Sequence, residues 1–181
     1  MDKTGTPIGS YAPDFELPGV DETVHHLARY LERFQAVGVV FLGNHCSWAQ
    51  AYLPRLRAIQ EQFQDQSFTL IGINANDASQ SPEDSFEQMK VFARDRALNF
   101  PYLRDVTQDV ARSFGVVYTP VAFLLDHEGI LRYRGAIDDS PTQPDQVQTP
   151  YFQQAIAQLL ARSAISPEQT EAKGEPVKWR A

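Results

Sequence analysis

The sequence predicts an α/β fold in which a central mixed β-sheet is flanked by helices. Three short, largely apolar segments are bounded by glycine or polar residues, as is typical of strands buried on both faces. These segments lie at residues 38–43, 68–74 and 121–126. Helical patterns separate them, and a hairpin with a second strand over residues 130–134 follows the third, so we expect parallel strands with an antiparallel edge.

The N-terminal region predicts a short strand followed by a helix. Phe15 and Leu17 alternate with polar residues between two prolines, which favours an N-terminal strand extension. Residues 23–34 are expected to form a helix, because apolar side chains recur there at helical spacing. Those side chains are Leu27, Tyr30, Leu31 and Phe34. His25 and His26 then lie near the start of this helix, on a solvated face.

Helical periodicity and turn residues predict the remaining elements. A long helix is expected after Trp48, because apolar residues recur every three or four positions up to Phe63, with Pro54 inside it. Further helices are expected over residues 81–97, over residues 107–114 and after Pro150, and an extended segment over residues 100–103. Gly115 is suited to end the helix before it.

Chain length and the lack of internal repeats indicate one domain. With 181 residues, of which 43% are hydrophobic, the chain is long enough to bury a single core. We expect this domain to span residues 1–165. Residues 166–181 are polar and contain two prolines, which predicts an extended C-terminal tail that docks through Trp179.

Composition and charge exclude several classes of partner. The formal net charge of −7 disfavours nucleic acid and anionic lipid, because a polyanion would be repelled. No apolar run approaches the roughly 20 residues of a membrane-spanning helix, and the N-terminus lacks the apolar stretch of a signal peptide. We therefore expect a cytoplasmic protein with no membrane partner. The sequence leaves its oligomeric state open.

The chain contains a single cysteine, Cys46, which excludes any internal disulfide. Its four histidines are scattered, so no metal or other cofactor is expected. Cys46 follows a central strand and lies in the first turn of the long helix, where free N–H groups and the helix dipole favour a thiolate. The alternative is that Cys46 is a small buried apolar residue, and its position alone does not decide between the two.

The Thr119–Pro120 pair stands directly before an apolar strand. A trans proline there would remove a ladder hydrogen bond, so a cis peptide bond is one interpretation. An ordinary trans proline at the edge of a strand is the other, and the pair by itself leaves both open.

Several short motifs are spread over nearly the whole chain. They are Ala-Pro-Asp-Phe-Glu-Leu at residues 12–17, Asn-His-Cys-Ser-Trp-Ala at residues 44–49, Thr119–Pro120, Phe-Leu-Leu-Asp at residues 123–126, and Tyr-Arg-Gly at residues 133–135 after Gly129. Together they resemble the thioredoxin-like redoxin group, which includes the alkyl hydroperoxide reductase/thiol-specific antioxidant (AhpC/TSA) relatives, and especially a bacterial thioredoxin family protein type whose site reads Asn-His-Cys-Pro-Tyr-Val. The resemblance extends from about Ala12 to Trp179. It implies a thioredoxin-like fold, with Cys46 as the nucleophile and Pro120 as the cis-proline that faces it.

Departures from this group bear on the mechanism. Thioredoxin-like oxidoreductases carry a second cysteine three residues after the first, where this chain has Ala49. Further cysteines of the bacterial type correspond here to Tyr118 and to the region of Gly174 and Glu175. Because no partner for an intramolecular disulfide is present, dithiol cycling within one chain is impossible.

The peroxide-activating residues of a peroxiredoxin are also missing. That site resembles Pro-x-x-x-Thr-x-x-Cys with an added arginine, because the threonine and the arginine orient the peroxide. Val39 and Gly43 stand where the proline and the threonine would be, and Pro120 stands where the arginine would be.

Two residues beside Cys46 are candidates for supporting roles. His45, as a cation, can stabilise a thiolate, although adjacent side chains at a helix start usually diverge. Trp48 resembles the aromatic residue with which thioredoxin-like proteins dock partners, and the alternative is simple packing. The resemblance also implies that the backbone at Thr119 and Pro120 holds the extended segment of a partner.

Three functions fit these residues. The first is a thiol oxidoreductase in which Cys46 forms a mixed disulfide with a protein or with a low-molecular-weight thiol or disulfide. The second is a redox-inactive binding or scaffold protein that kept the fold. The third is a one-cysteine thiol peroxidase that acts through a sulfenic acid at Cys46.

Overall fold

The computed structural model describes residues 5–181. Its strands are, in chain order, β1 (Glu16–Pro18), β2 (Val24–His26), β3 (Ala36–Phe41), β4 (Phe68–Asn74), β5 (Tyr102–Arg104), β6 (Tyr118–Thr119), β7 (Val121–Asp126), β8 (Leu131–Gly135) and β9 (Glu175–Pro176). Its helices are α1 (Leu27–Arg33), α2 (Ser47–Phe63), α3 (Phe86–Asp95), α4 (Asp109–Phe114) and α5 (Tyr151–Leu160). In that part of the chain, no helix is both long and apolar enough to cross a membrane.

Five strands form the central sheet, in the order β5-β4-β3-β7-β8. β3, β4 and β5 are parallel, whereas β7 and β8 run antiparallel to their neighbours. Every residue of β3 and β4 is buried, as their largely apolar character predicts. This mixed sheet flanked by helices confirms the predicted α/β fold, and the hairpin of β1 and β2 is its N-terminal strand extension.

Two apolar layers hold the helices against the sheet. Helices α2, α3 and α5 pack on one face through a cluster that includes Leu56, Phe92 and Phe152. Helices α1 and α4 cover the opposite face through a second cluster around Phe114. Gly115 ends α4 with a φ of 77°, a left-handed conformation that glycine adopts without steric cost, as its position in the sequence predicts.

The helix predicted over residues 23–34 begins four residues later, at Leu27. The residues before it form β2, which pairs with β1. The imidazole of His25 hydrogen-bonds the carboxylate of Asp21 at 2.9 Å and the hydroxyl of Tyr30 at 2.7 Å. The prediction was wrong at this end because cross-strand pairing outweighs helical periodicity over so short a segment.

The helix predicted over residues 81–97 is also shorter. α3 begins after Ser85, whose hydroxyl caps the helix by accepting a hydrogen bond from the N–H of Gln88 at 3.2 Å. Residues 82–84 form a separate turn of 3-10 helix. This turn directs the side chain of Asp84 into the interior, where it is 1% exposed.

The C-terminal segment packs back on the domain and forms a separate two-stranded sheet with β6. β9 pairs antiparallel with β6, and the side chain of Val177 is buried. Trp179 packs on the same apolar cluster as α4, and the guanidinium carbon of Arg112 lies 4.5 Å from its ring centre. The tail therefore contacts the domain through Val177 and Trp179, while the boundary between residues 165 and 166 stays a prediction.

A buried carboxyl group, that of Asp105, predicts an effect of pH on stability. Its Oδ2 accepts a hydrogen bond from the N–H of Ala111 at 2.8 Å, and its Oδ1 has no partner among residues 5–181. Burial raises the pKa of Asp105 above its ordinary value. The folded state therefore binds the proton more tightly than the unfolded state. Proton binding by Asp105 therefore stabilises the folded state fully at a pH below the pKa of Asp105 in the unfolded chain. This stabilisation is lost as the pH rises through the pKa of Asp105 in the folded protein.

The Asp105→Asn substitution removes this ionisation. We expect the free energy of unfolding of the variant, relative to the native protein, to rise as the pH increases from about 4 to about 7. Urea unfolding at a series of pH values measures this difference, with Glu128→Gln at an exposed position as the control. A relative stability that falls over this range would contradict the expectation.

Candidate active site

Cys46 occupies the N-cap position of α2, after the loop that follows β3. Its extended backbone, with φ −76° and ψ 115°, leads the chain into the helix. Its sulfur accepts a hydrogen bond from the N–H of Ala49 at 3.4 Å, in the manner of other N-cap side chains. The sulfur therefore lies at the positive end of the helix dipole, which favours negative charge there.

The backbone before Pro120 forms the opposite wall of the site. The Thr119–Pro120 peptide bond is cis. The thiol of Cys46 donates a hydrogen bond to the carbonyl oxygen of Thr119 at 3.5 Å. Cys46 and Thr119 are each 4% exposed. The structure thus brings together three of the residues that the sequence singles out.

His45 and Trp48 lie near the thiol in sequence, but neither hydrogen-bonds the sulfur in the part of the chain that the structure describes. His45 is exposed and lines a shallow cavity of about 200 Å³ beside α3, together with Glu83 and Phe92. Trp48 is partly buried and packs on the core cluster under α2. Their roles, as a cation beside a thiolate and as a docking surface, stay predictions.

Two positions beside Cys46 carry no reactive side chain. Ala49, whose N–H contacts the sulfur, is fully buried. A Cβ atom built on Gly43 would lie 3.4 Å from the Cβ of Cys46, so residue 43 adjoins the thiol without offering a hydroxyl group. Within residues 5–181, the sulfur hydrogen-bonds backbone groups alone, namely the Ala49 N–H and the Thr119 carbonyl.

A buried polar cluster, which sequence reasoning missed, lies beneath the loop between β3 and α2. Oδ1 of Asp84 accepts hydrogen bonds from the backbone N–H of Asn44 at 2.7 Å and from the amide of Asn74 at 3.0 Å. Oδ2 of Asp84 accepts from the amide of Asn76 at 3.1 Å and from the hydroxyl of Ser81 at 2.8 Å. We call these five residues the Asp84 cluster. The sequence around Asp84 predicts an acidic first turn of a helix, so only the fold reveals its burial.

Two side chains from β5 add to the support of this loop. The hydroxyl of Tyr102 donates to Oδ1 of Asn44 at 2.7 Å. The guanidinium of Arg104 donates to the carbonyl oxygens of Asn76 at 2.6 Å and Asp84 at 3.1 Å. Burial lowers the pKa of Arg104, and the negative charge of Asp84 opposes that shift. The loop that leads to the thiol is therefore held by a buried and charged network.

A cavity of about 280 Å³ adjoins Pro120. Its lining includes Tyr52, Asp138, Tyr151, Thr170 and Lys173. The hydroxyl of Tyr52 donates to Asp138 at 2.8 Å, and the guanidinium of Arg55 pairs with the same carboxylate at 2.8 Å. Burial, together with Asp138, raises the pKa of Tyr52. Asp138 lies in the wall of the cavity, and its charge is balanced by Arg55.

A cysteine at a helix N-cap, facing a cis-proline directly before an internal strand of a mixed five-stranded sheet, defines a protein of the thioredoxin-like redoxin class. The model of the AhpC/TSA family matches residues 8–134, and the chain belongs to that family. This finding confirms the resemblance carried by the sequence motifs. Among the described residues, no group of three or more His, Cys, Asp or Glu side chains is placed to hold a metal ion.

Known proteins similar to this chain include oxidoreductases. The thiol-disulfide oxidoreductase ResA of Geobacillus thermodenitrificans is 29% identical over 128 residues, which cover 71% of this chain and 68% of the relative. A hypothetical protein of Sinorhizobium meliloti 1021 has a similar structure, with a TM-score of 0.90 and 30% identity over 99% of this chain and 100% of that one. The thioredoxin domain of a thiol-disulfide oxidoreductase of Bacteroides vulgatus has a TM-score of 0.60 and 23% identity, and the match covers 70% of this chain and 86% of that domain. This last likeness shows the thioredoxin-like fold.

Proposed function

We propose that this protein is a thiol-disulfide oxidoreductase that works through a single nucleophilic cysteine. The observation that carries the proposal is the position of Cys46 at the N-cap of α2, with its sulfur 3.5 Å from the carbonyl that precedes the cis-proline. Membership of the AhpC/TSA family supports it, as does similarity to ResA, whose name describes the same activity.

The reaction available to one thiol is exchange with a disulfide through a mixed disulfide. The thiolate of Cys46 attacks one sulfur of R–S–S–R′, the substrate S–S bond breaks, and R′–S⁻ leaves and takes up a proton. An external thiol R″–SH then loses its proton and attacks the R sulfur, which releases R–S–S–R″ and restores the Cys46 thiolate. The external thiol is needed because the chain offers no second cysteine.

The substrates that fit this chemistry are protein disulfides and low-molecular-weight disulfides such as glutathione disulfide. Thr119 presents a backbone carbonyl beside the thiol. The resemblance to the redoxin group implies that an extended segment of a protein substrate lies against the backbone at Thr119 and Pro120, where β9 pairs with β6 in this structure.

Intact mass spectrometry after incubation with glutathione disulfide tests the proposal. We expect one glutathione adduct per chain, located at Cys46 and removed by dithiothreitol. Absence of an adduct in the folded protein, together with its formation in the urea-unfolded protein, would favour a redox-inactive scaffold. A parallel incubation with peroxide that yields a sulfenic acid, and peroxide consumption that requires an added thiol, would favour the one-cysteine peroxidase.

A further inference from the structure

Residues 174–178, which we call the tail strand, lie along β6 beside the candidate active site. β9 lies within the tail strand and pairs antiparallel with β6, so that Glu175 opposes Thr119. Next along the chain, the N–H of Val177 donates to the carbonyl of Val117 at 2.9 Å. The backbone edge that adjoins the thiol is therefore already paired with a segment of the same chain.

The tail strand contacts both walls of the site. On one wall, Gly174 is so close to the backbone that a Cβ atom there would overlap the carbonyl oxygen of Thr119. This is the oxygen that accepts the hydrogen bond from Cys46. On the other wall, the hydroxyl of Ser47 donates to the carboxylate of Glu175 at 3.4 Å. The tail strand thus spans Thr119 and Ser47, which lie on either side of the buried Cys46.

The far end of the tail strand is anchored in the Asp84 cluster. The N–H of Lys178 donates to Oδ1 of Asn76 at 2.9 Å, and its ammonium group donates to the hydroxyl of Ser81 at 3.0 Å. The carbonyl of Lys178 accepts from the N–H of Asp77 at 2.8 Å. Several of these hydrogen bonds are only partly buried, and such a segment can open locally while the domain stays folded.

We propose that the tail strand is an autoinhibitory segment that slows the reaction of disulfide substrates with Cys46, because that reaction takes place only in molecules whose tail strand has opened. This inference rests on the proposed function of Cys46 as a nucleophile. A mixed disulfide forms only when the substrate sulfur reaches bonding distance of the Cys46 sulfur. The tail strand lies against Thr119 and Ser47, which flank the Cys46 sulfur, and in this proposal it fills the approach to that sulfur. Its displacement frees the thiol and the edge of β6 together.

The Gly174→Ala substitution tests this proposal, because the added methyl group cannot fit against the carbonyl of Thr119. Gln169→Ala, at an exposed residue earlier in the same C-terminal segment, is the matched control. The measurement is the rate at which the neutral reagent iodoacetamide alkylates Cys46 in the folded protein. We expect the Gly174→Ala variant to react on the order of tenfold faster than the native protein, since its tail strand opens more often. The Gln169→Ala variant should react at the native rate.

A chain that ends at Lys173 is a second variant that lacks the tail strand altogether, and it should react at least as fast as Gly174→Ala. Equal alkylation rates in the native protein, in Gly174→Ala and in the shortened chain would overturn the proposal.

Two further measurements check the state of these variants. Hydrogen exchange at the Val177 amide establishes that Gly174→Ala has lost the pairing of β9 with β6, and thermal melting establishes that Gly174→Ala and the shortened chain are folded. Failure of the proposed function gives a different result: Cys46 is alkylated faster in the variants but forms no mixed disulfide with glutathione disulfide.

Discussion

Replacing Cys46 by serine is expected to abolish mixed-disulfide formation while leaving the fold intact. The chain has no other cysteine, so no second thiol can take over the reaction. A serine hydroxyl at this N-cap can still accept the hydrogen bond that the N–H of Ala49 donates to the sulfur. The variant should therefore lose all covalent reaction with glutathione disulfide at a cost in stability below about 1 kcal/mol.

Intact mass spectrometry measures the reaction, and urea unfolding measures the stability. Cys46→Ala is the matched variant: it is equally unreactive, but it lacks the cap and should lose about 1 kcal/mol. Disulfide exchange that persists in the serine variant would show that Cys46 is not the nucleophile. Unchanged affinity of that variant for a protein partner would favour the scaffold function instead.

Asp84→Ala is expected to lower the free energy of unfolding by about 3–5 kcal/mol, as the loss of one member of a buried charged network does. The carboxylate is 1% exposed and accepts four hydrogen bonds. Its removal leaves the backbone N–H of Asn44 and the side-chain amides of Asn74 and Asn76 without this acceptor in the interior. The buried cation of Arg104 also loses a stabilising negative charge.

Urea unfolding of the full chain measures this loss. Ser81→Ala is the matched control, because it removes one of the four donors to Asp84 and should cost about 1 kcal/mol. The loss of stability in Asp84→Asn should fall between the losses in Asp84→Ala and Ser81→Ala, since an amide keeps one accepting oxygen and has a donor in place of the other. A loss below about 1 kcal/mol in Asp84→Ala would contradict the role of the cluster in supporting the loop before Cys46.

Most of the central sheet and its helices could be predicted because their residues follow local periodicities. β3 and β4 are buried on both faces and read as apolar runs, and α2 repeats apolar side chains every three or four positions. β2 could not be predicted in this way. It exists because it pairs with β1, and that pairing leaves no periodic signal in three residues.

The residues of the candidate site also fall into two groups, those that the sequence indicates and those that only the fold reveals. Cys46 and Pro120 could be identified from the sequence, because their positions at the ends of predicted strands left two interpretations open and the resemblance to the redoxin group decided between them. Asp84 could not, because its burial depends on a hydrogen bond to the N–H of Asn44, 40 positions away in the chain. The amides that complete the cluster come from the end of β4 and the loop after it.

The sequence by itself determines that any disulfide formed at Cys46 joins two molecules, because the chain has one cysteine. It also determines the fold class, because apolar periodicity records which faces of the strands and helices are buried. Only the tertiary structure decides what faces the thiol. The Thr119 carbonyl comes from 73 positions away, and the tail strand joins Glu175 to Ser47 across 128 positions. Such contacts depend on how distant elements pack, which no local pattern of residues encodes.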